Sequence, residues 1–492
     1  MLLLGIDIGT SFIKVSAVDA ATQRSVASEQ YPDTETAITS LQSGWAEQSP
    51  DMWWQHTCKA IQALGKSGKI DPADIVAIGI SYQMHGLVVV DKEQNVLRDS
   101  IIWCDSRAVE TGEEAFVAIG DDTCSSCLLN SPGNFTASKL GWVKKNEPEI
   151  FGRIDKIMLP GDYIAMKLTG EITTTSSALS EGILFDFQKN EISKDVMKYF
   201  GFEDSLIPKV QPLFSSHGKL LPAIATQLSL TENIPVTYKA GDQLNNALSL
   251  NVLKPGEVAA TAGTSGVIYA VTDQLFSDKH SRVNAFAHVN HTATDKRLGV
   301  LLCINGTGIM NSWIKKVCGD GFTYKEMDAQ AAKIKPGSDG LFVLPFGNGA
   351  ERMLQNKIVD AHLHNIDLNK HTKAHIFRAV QEGIAFAFRY GLDIMRENDL
   401  RPTIIRAGKA NLFLSDVFIE SFVNVTGVTV ELYENDGSVG AALGAGIGEG
   451  IYKNAAEAFS QFKPMKKIEP LNTALYDSLY IEWKKLLENY LN

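Results

Sequence analysis

No apolar run among the 492 residues approaches the ~18–20 that cross a bilayer, so no membrane-spanning helix is expected. Cysteine is scarce. Cys58, Cys104, Cys124, Cys127, Cys303 and Cys318 fall far below the density of a disulfide scaffold. Cys124-Ser-Ser-Cys127 forms a CxxC, but zinc would need a second ligand pair at metal spacing, and the sequence has none. Ordinary reduced thiols are expected there. The histidines, His288 and His291 included, show no metal-ligand pattern. Positive charge is in deficit, with 46 Lys and Arg against 57 Asp and Glu and a formal charge of −11. That argues against nucleic acid as a partner. No secretory leader is expected in the opening residues either. Nothing basic precedes the first apolar residues, and Asp7 interrupts them. A cytoplasmic protein with no membrane partner is the expectation.

What is present is an ordinary globular composition, 45% hydrophobic and 21% charged. The length exceeds one core, so two or more domains are expected. The chain opens with LLLGIDIGTSFIKVSAVDA, residues 2–20. Leu2 to Ile8 is short and apolar, Gly9 favours a turn, and Phe12 to Val18 continues in a largely apolar, β-branched pattern. This predicts a β-hairpin with Gly9-Thr10-Ser11 at its tip.

The stretch recurs. ATAGTSGVIYAVTD (260–273) repeats IDIGTSFIKVSAVD (6–19), with Gly263-Thr264-Ser265 on the first tip and Asp273 on Asp19. The offset is about half the chain, so two similar domains are expected, each opening with the same hairpin. Asp7 has no counterpart, because Thr261 stands there. Glycine lets a backbone approach a ligand, and exposed N–H groups with Thr and Ser hydroxyls hold phosphate oxygens. One such tip per domain would clamp a nucleotide's phosphates in the cleft between them. Two tight turns without a ligand are the plainer alternative.

Paired phosphate hairpins on duplicated domains resemble the actin/hexokinase/Hsp70 superfamily. Within it the chain is similar to the FGGY carbohydrate kinases. GWAEQSPDMWW (44–54), NFTASKLGWVKKNEPEIF (134–151) with Lys139 and Trp142, LPGDYIAMKLTGE (159–171) and AGDQLNNA (240–247) follow in family order. Asn134 departs from the usual Gly. The resemblance implies an α/β fold of two actin-like, ribonuclease H-like domains, each a mixed sheet flanked by helices. A sugar-binding domain is expected over 1–247 and a nucleotide-binding domain over 248–492. ATP and Mg²⁺ are the implied cofactors, a small sugar is the partner, and a homodimer is compatible with the family.

Asp242 follows an apolar-flanked strand and precedes a helix, where an acid can simply cap the helix. In the resembled family the Asp of this Gly-Asp pair is the catalytic base. A base is what a weakly nucleophilic sugar hydroxyl needs for attack on a γ-phosphoryl group. Gln243, and Asn246 beside it, would bond substrate hydroxyls. Asp7, just before the first tip, would hold hydrated Mg²⁺. Its alternative is a buried acid bonded to turn amides. Lys14 is expected either beside the phosphates or on the solvent face of its strand.

Ile78 to Ser81 reads as a buried strand running into Gln83-Met84-His85-Gly86, and a polar cluster at a strand's C-terminal end points at a ligand crevice. The cluster resembles the QMHG motif of the xylulokinase branch and differs from that of glycerol kinases. Trp103 offers an aromatic face for a sugar, and Asp105 either contacts the sugar or pairs with Arg107. The implied reaction is transfer from ATP to D-xylulose. Kinases for another ketopentose, polyol or sugar acid, such as ribulose or gluconate, are the alternatives. On the second domain, Gly308 is expected near the phosphates. Gly408, Lys409 and Asn411 stand where relatives carry a glycine run at adenine. Gly437 to Gly446 reads as a closely packed small-residue helix that also admits nucleotide.

Overall fold

The computed structural model describes residues 1–491. The first hairpin forms where the sequence puts it. Strands β1 (Leu2–Ile8) and β2 (Ile13–Asp19) pair antiparallel, with Asp7 opposite Lys14. Strand β3 (Arg24–Tyr31) continues the meander. Strands β4 (Ile75–Tyr82) and β5 (Val236–Gly241) then add in parallel on the other side of β1. The sheet order is β5-β4-β1-β2-β3.

The second half repeats this plan. Strands β6 (Glu257–Ala262) and β7 (Gly266–Thr272) make the second hairpin. Strand β8 (Asn284–Ala287) lies at the sheet edge, and β9 (Leu298–Ile304) extends the meander from β7. Strands β10 (Ile404–Gly408) and β11 (Val430–Tyr433) add in parallel beyond β6, and β12 (Lys466–Ile468) closes the far edge. The order is β8-β9-β7-β6-β10-β11-β12. Without its two edge additions, β8 and β12, it has the connectivity and strand directions of the first sheet. The sequence echo is therefore a duplicated five-stranded unit. β1, β4 and β5 are almost wholly apolar and buried, as parallel strands covered by helices on both faces must be.

Five helices position the site: α1 (Thr136–Asn146), α2 (Ser176–Glu181), α3 (Asp242–Ser249), α4 (Gly308–Cys318) and α5 (Gly437–Gly448). α5 crosses back and packs on β1, β4 and β5 of the first sheet. Its small residues are a packing requirement. A Cβ on Gly79 of β4 would stand 1.9 Å from the Ala441 carbonyl oxygen, so helix and strand touch through backbone. No helix among the described residues is long and apolar enough to cross a membrane.

Candidate active site

Asp7 is the penultimate residue of β1, just before the first tip, where the Gly9 N–H donates to the Phe12 carbonyl at 3.0 Å. The Asp7 carboxylate lies against the start of α5. A Cβ on Gly437 would stand 2.3 Å from Asp7 Oδ2, so only glycine admits the acid there. The amides of a helix N-terminus favour such a negative charge. Burial raises the Asp7 carboxyl, and the nearby Asp436 charge adds to the rise. Lys14 Nζ pairs with Asp436, the residue that caps α5 through its bond from the Ser438 N–H at 3.0 Å. Lys14 therefore ties the first hairpin to α5.

Asp242 follows β5 directly and is the first residue of α3. The cap position belongs to Gly241, so the Asp242 carboxylate is not the capping group. Its pKa is pushed up to about 7, by burial first and then by the negative charge of Asp7, against amides at the helix start that lower it. Asp7 is thus close enough to Asp242 for its charge to act on it. Gln243 keeps a buried carbonyl oxygen without a partner. Asn246 Oδ1 is occupied by the Asn435 amide at 2.7 Å.

The loops that carry Gln83 and Trp103 are tied to the first tip by a hydrogen-bond network that runs from the surface inward. Trp103 Nε1 donates to Thr10 Oγ1 at 3.0 Å, Thr10 Oγ1 donates to Gln83 Oε1 at 3.1 Å, and Gln83 Nε2 donates to Gln48 Oε1 at 3.1 Å. Two of the expected contact residues already have partners within the protein. Gln83 is buried with both amide ends engaged, so it helps to position the first tip. Asp105 is buried and gripped by Arg107 and by the Ala46 N–H at 2.6 Å, which makes it a structural partner. The Thr10 hydroxyl is likewise engaged.

Met84 is buried against Gly241. His85 has a left-handed backbone, φ +64, and its Nδ1 lies 3.1 Å from the Glu181 carbonyl oxygen. Burial pushes its pKa down to about 3, so the ring is neutral. Trp103 remains half-exposed. Lys139 of α1 is fully buried, and its Nζ donates to the carbonyls of His85 and Ile102 at 2.9 Å each. It clamps the 83–86 loop to the 102–107 loop, and burial pushes its pKa down to about 7.

A cavity of about 890 Å³ opens on the second half, beside the second tip. Gly263, Thr264, Gly308 and Asn411 line it, and the Asn411 amide lies 3.5 Å from where a Cβ on Gly263 would stand. Gly408 and Lys409 do not reach its wall. Gly408 packs beside Asn435, and Lys409 is exposed with its N–H paired to the Tyr433 carbonyl. Ser265 stays at the tip, outside the cavity lining. The N-terminal domain model of the FGGY family of carbohydrate kinases matches residues 2–249, and the C-terminal domain model matches 258–448.

The chain belongs to the FGGY family of carbohydrate kinases.

The kinase is 28% identical over 470 residues to a xylulose kinase of Bacillus subtilis, covering 94% of this chain and 91% of the relative. The structure of xylulose kinase from Rhodospirillum rubrum superposes with a TM-score of 0.88 at 25% identity, covering 99% of both chains. A gluconate kinase from Lactobacillus acidophilus superposes equally well, at 0.89 and 20% identity over 100% of this chain and 98% of the other. The two-domain actin-like fold is thus shared by kinases named for different sugars.

Two polar groups of this kinase carried no motif in the sequence. Glu181, at the end of α2, is wholly buried behind the Gly241-Asp242 turn. Its Oε1 accepts from the Tyr82 hydroxyl at 3.0 Å, its Oε2 has no partner, and burial raises its pKa well above the ordinary carboxyl range. It is the only acid in the stretch from 173 to 185, which is the one trace it leaves in the sequence. The other is Arg352, in a loop after the buried strand Phe342–Phe346, where an adjacent Glu-Arg pair is the sole hint.

Proposed function

We propose that this carbohydrate kinase transfers the γ-phosphoryl group of ATP to D-xylulose, giving D-xylulose 5-phosphate and ADP. The observation that carries the mechanism is Asp242. It starts a helix, feels the charge of Asp7, and has a pKa close to the working pH of a general base. The acceptor hydroxyl gives its proton to Asp242 as its oxygen bonds to the γ-phosphorus and the bond to ADP breaks. Gln243 and Trp103 orient the sugar, beside the neutral His85. The two tips present backbone amides to the phosphates, and the cavity walled by Gly308 and Asn411 takes the nucleoside. Asp7 is the residue that would hold Mg²⁺. Two carboxyls raised by burial, with Asp7 adding to the rise at Asp242, fit a hydrated cation that accepts few protein ligands, and when bound it would offset phosphate charge.

Support for the sugar comes from the QMHG loop and from relatives named as xylulose kinases over nearly the whole chain. ADP release measured across D-xylulose, D-ribulose, D-gluconate and glycerol should give the highest kcat/KM with D-xylulose. A clearly higher value for another member of the panel removes the substrate assignment.

A further inference from the structure

The reaction scheme leaves one cation of the cleft unused. Arg352 heads a short turn, Arg352–Leu354, on the second half. The residue before it anchors that turn. Glu351 is wholly buried and accepts from the Asn305 and Gly306 N–H groups at 2.9 Å each. That loop leads into Gly308, whose N–H bonds the Gly263 carbonyl at 3.0 Å. Arg352 is therefore fixed to the scaffold of the second tip.

Its guanidinium points at the sugar side. The guanidinium carbon lies 5.9 Å from the centre of the Phe135 ring, and that ring packs edge-on against His85 with centroids 4.9 Å apart. Arg352 and Asp242 both lie close enough to Cys303 on β9 to act on its thiol. The only hydrogen bond from the guanidinium among the described residues runs from Nη1 to Asn284 Oδ1, at 3.0 Å. Its neighbour Glu351 turns both oxygens to loop amides, and no carboxylate offsets the Arg352 charge. A half-buried guanidinium with one hydrogen bond and no carboxylate partner keeps donors free for the oxygens of a ligand.

We propose that Arg352 is an acceptor-binding residue, reaching across from the second half to hold oxygen atoms of the sugar opposite Met84 and His85. This rests on the carbohydrate-kinase reading of the cleft. The oxygens belong either to a ketose or to the carboxylate of a sugar acid.

Calorimetric titration of the nucleotide-free protein with D-xylulose, and separately with D-gluconate, tests it. Arg352→Gln should weaken the bound sugar at least ~10-fold, the scale of a lost charged hydrogen bond. Arg352→Lys should fall between Gln and wild type. Asn284→Ala breaks the existing bond but keeps the cation, and should stay within ~3-fold of wild type. In turnover, Arg352→Gln should raise the sugar KM far more than the ATP KM. Wild-type affinity in Arg352→Gln overturns the proposal. So does an Asn284→Ala loss equal to that of Arg352→Gln, because Arg352 would then be a strut between the halves. If thermal melting shows the Gln variant unfolded, the Lys variant decides, and unchanged affinity there counts against the proposal. A wild-type protein that binds gluconate and not xylulose overturns the xylulose reading. It still supports Arg352 if the Gln variant loses gluconate.

Discussion

An aspartate at a helix start, near a second aspartate and removed from bulk water, holds its proton more tightly than a free carboxyl. For Asp242 the raised pKa of about 7 has two readouts. Catalysis needs the ionised form, so kcat/KM for the sugar should fall as pH drops through about 7. A profile flat down to pH 5.5 would contradict a base of this kind. Stability runs the other way. Because the folded pKa lies above the unfolded one, the folded state binds more protons between about pH 4 and 7, and stability declines as pH rises through that window. Asp242→Asn should therefore raise the thermal midpoint at pH 8, with the gain shrinking toward pH 5. An equal or lower midpoint at pH 8 would show that the charge is not a burden there. At this scale the sequence was only partly readable. Asp242 announced itself by standing between a strand and a helix. Gln83 and Asp105 looked equally available, because residue type does not reveal that Thr10 and Gln48, or Arg107 and Ala46, already occupy their polar atoms. Glu181 and Arg352 depend on contacts with segments far away in the chain, which no local pattern records.

The hairpins were the most legible elements, since alternation, a Gly turn and β-branched residues are local properties. Both turn at the two Gly-Thr-Ser stretches, between Ile8 and Ile13 and between Ala262 and Gly266. α5 was legible as a small-residue helix, but its resting place on the first sheet was not. That follows from glycines at 5 and 79 meeting its carbonyls, a match between distant segments. Gly79→Ala tests the contact. Its Cβ would overlap the Ala441 carbonyl, so the helix must shift. A loss of at least ~2 kcal/mol is expected from such overpacking, read as a lower midpoint in thermal or urea unfolding. A neutral result would mean that α5 sits farther from β4 than described. Because the start of α5 lies against Asp7 and is capped by the residue that Lys14 binds, the same variant should also weaken ATP binding.

The two halves of the molecule are already joined along one flank. Ser180 Oγ of α2 accepts the Ala287 N–H at 2.9 Å, and the Asn130 amide donates to the Ala285 carbonyl at 2.7 Å. α5 joins them again below the cleft. The remaining freedom is rotation of one half toward the other, which would bring the tips together and exclude water. The radius of gyration from small-angle X-ray scattering should fall more with a non-hydrolysable ATP analogue plus sugar than with either alone. An unchanged value with both would argue against closure. The measurement that bears most directly on the whole account is ³¹P NMR of D-xylulose phosphorylation by wild type and by Asp242→Ala. Wild type should accumulate D-xylulose 5-phosphate. The variant should turn over at least ~10²-fold more slowly, with ATP affinity changed far less. Near-normal turnover by Asp242→Ala would contradict the account.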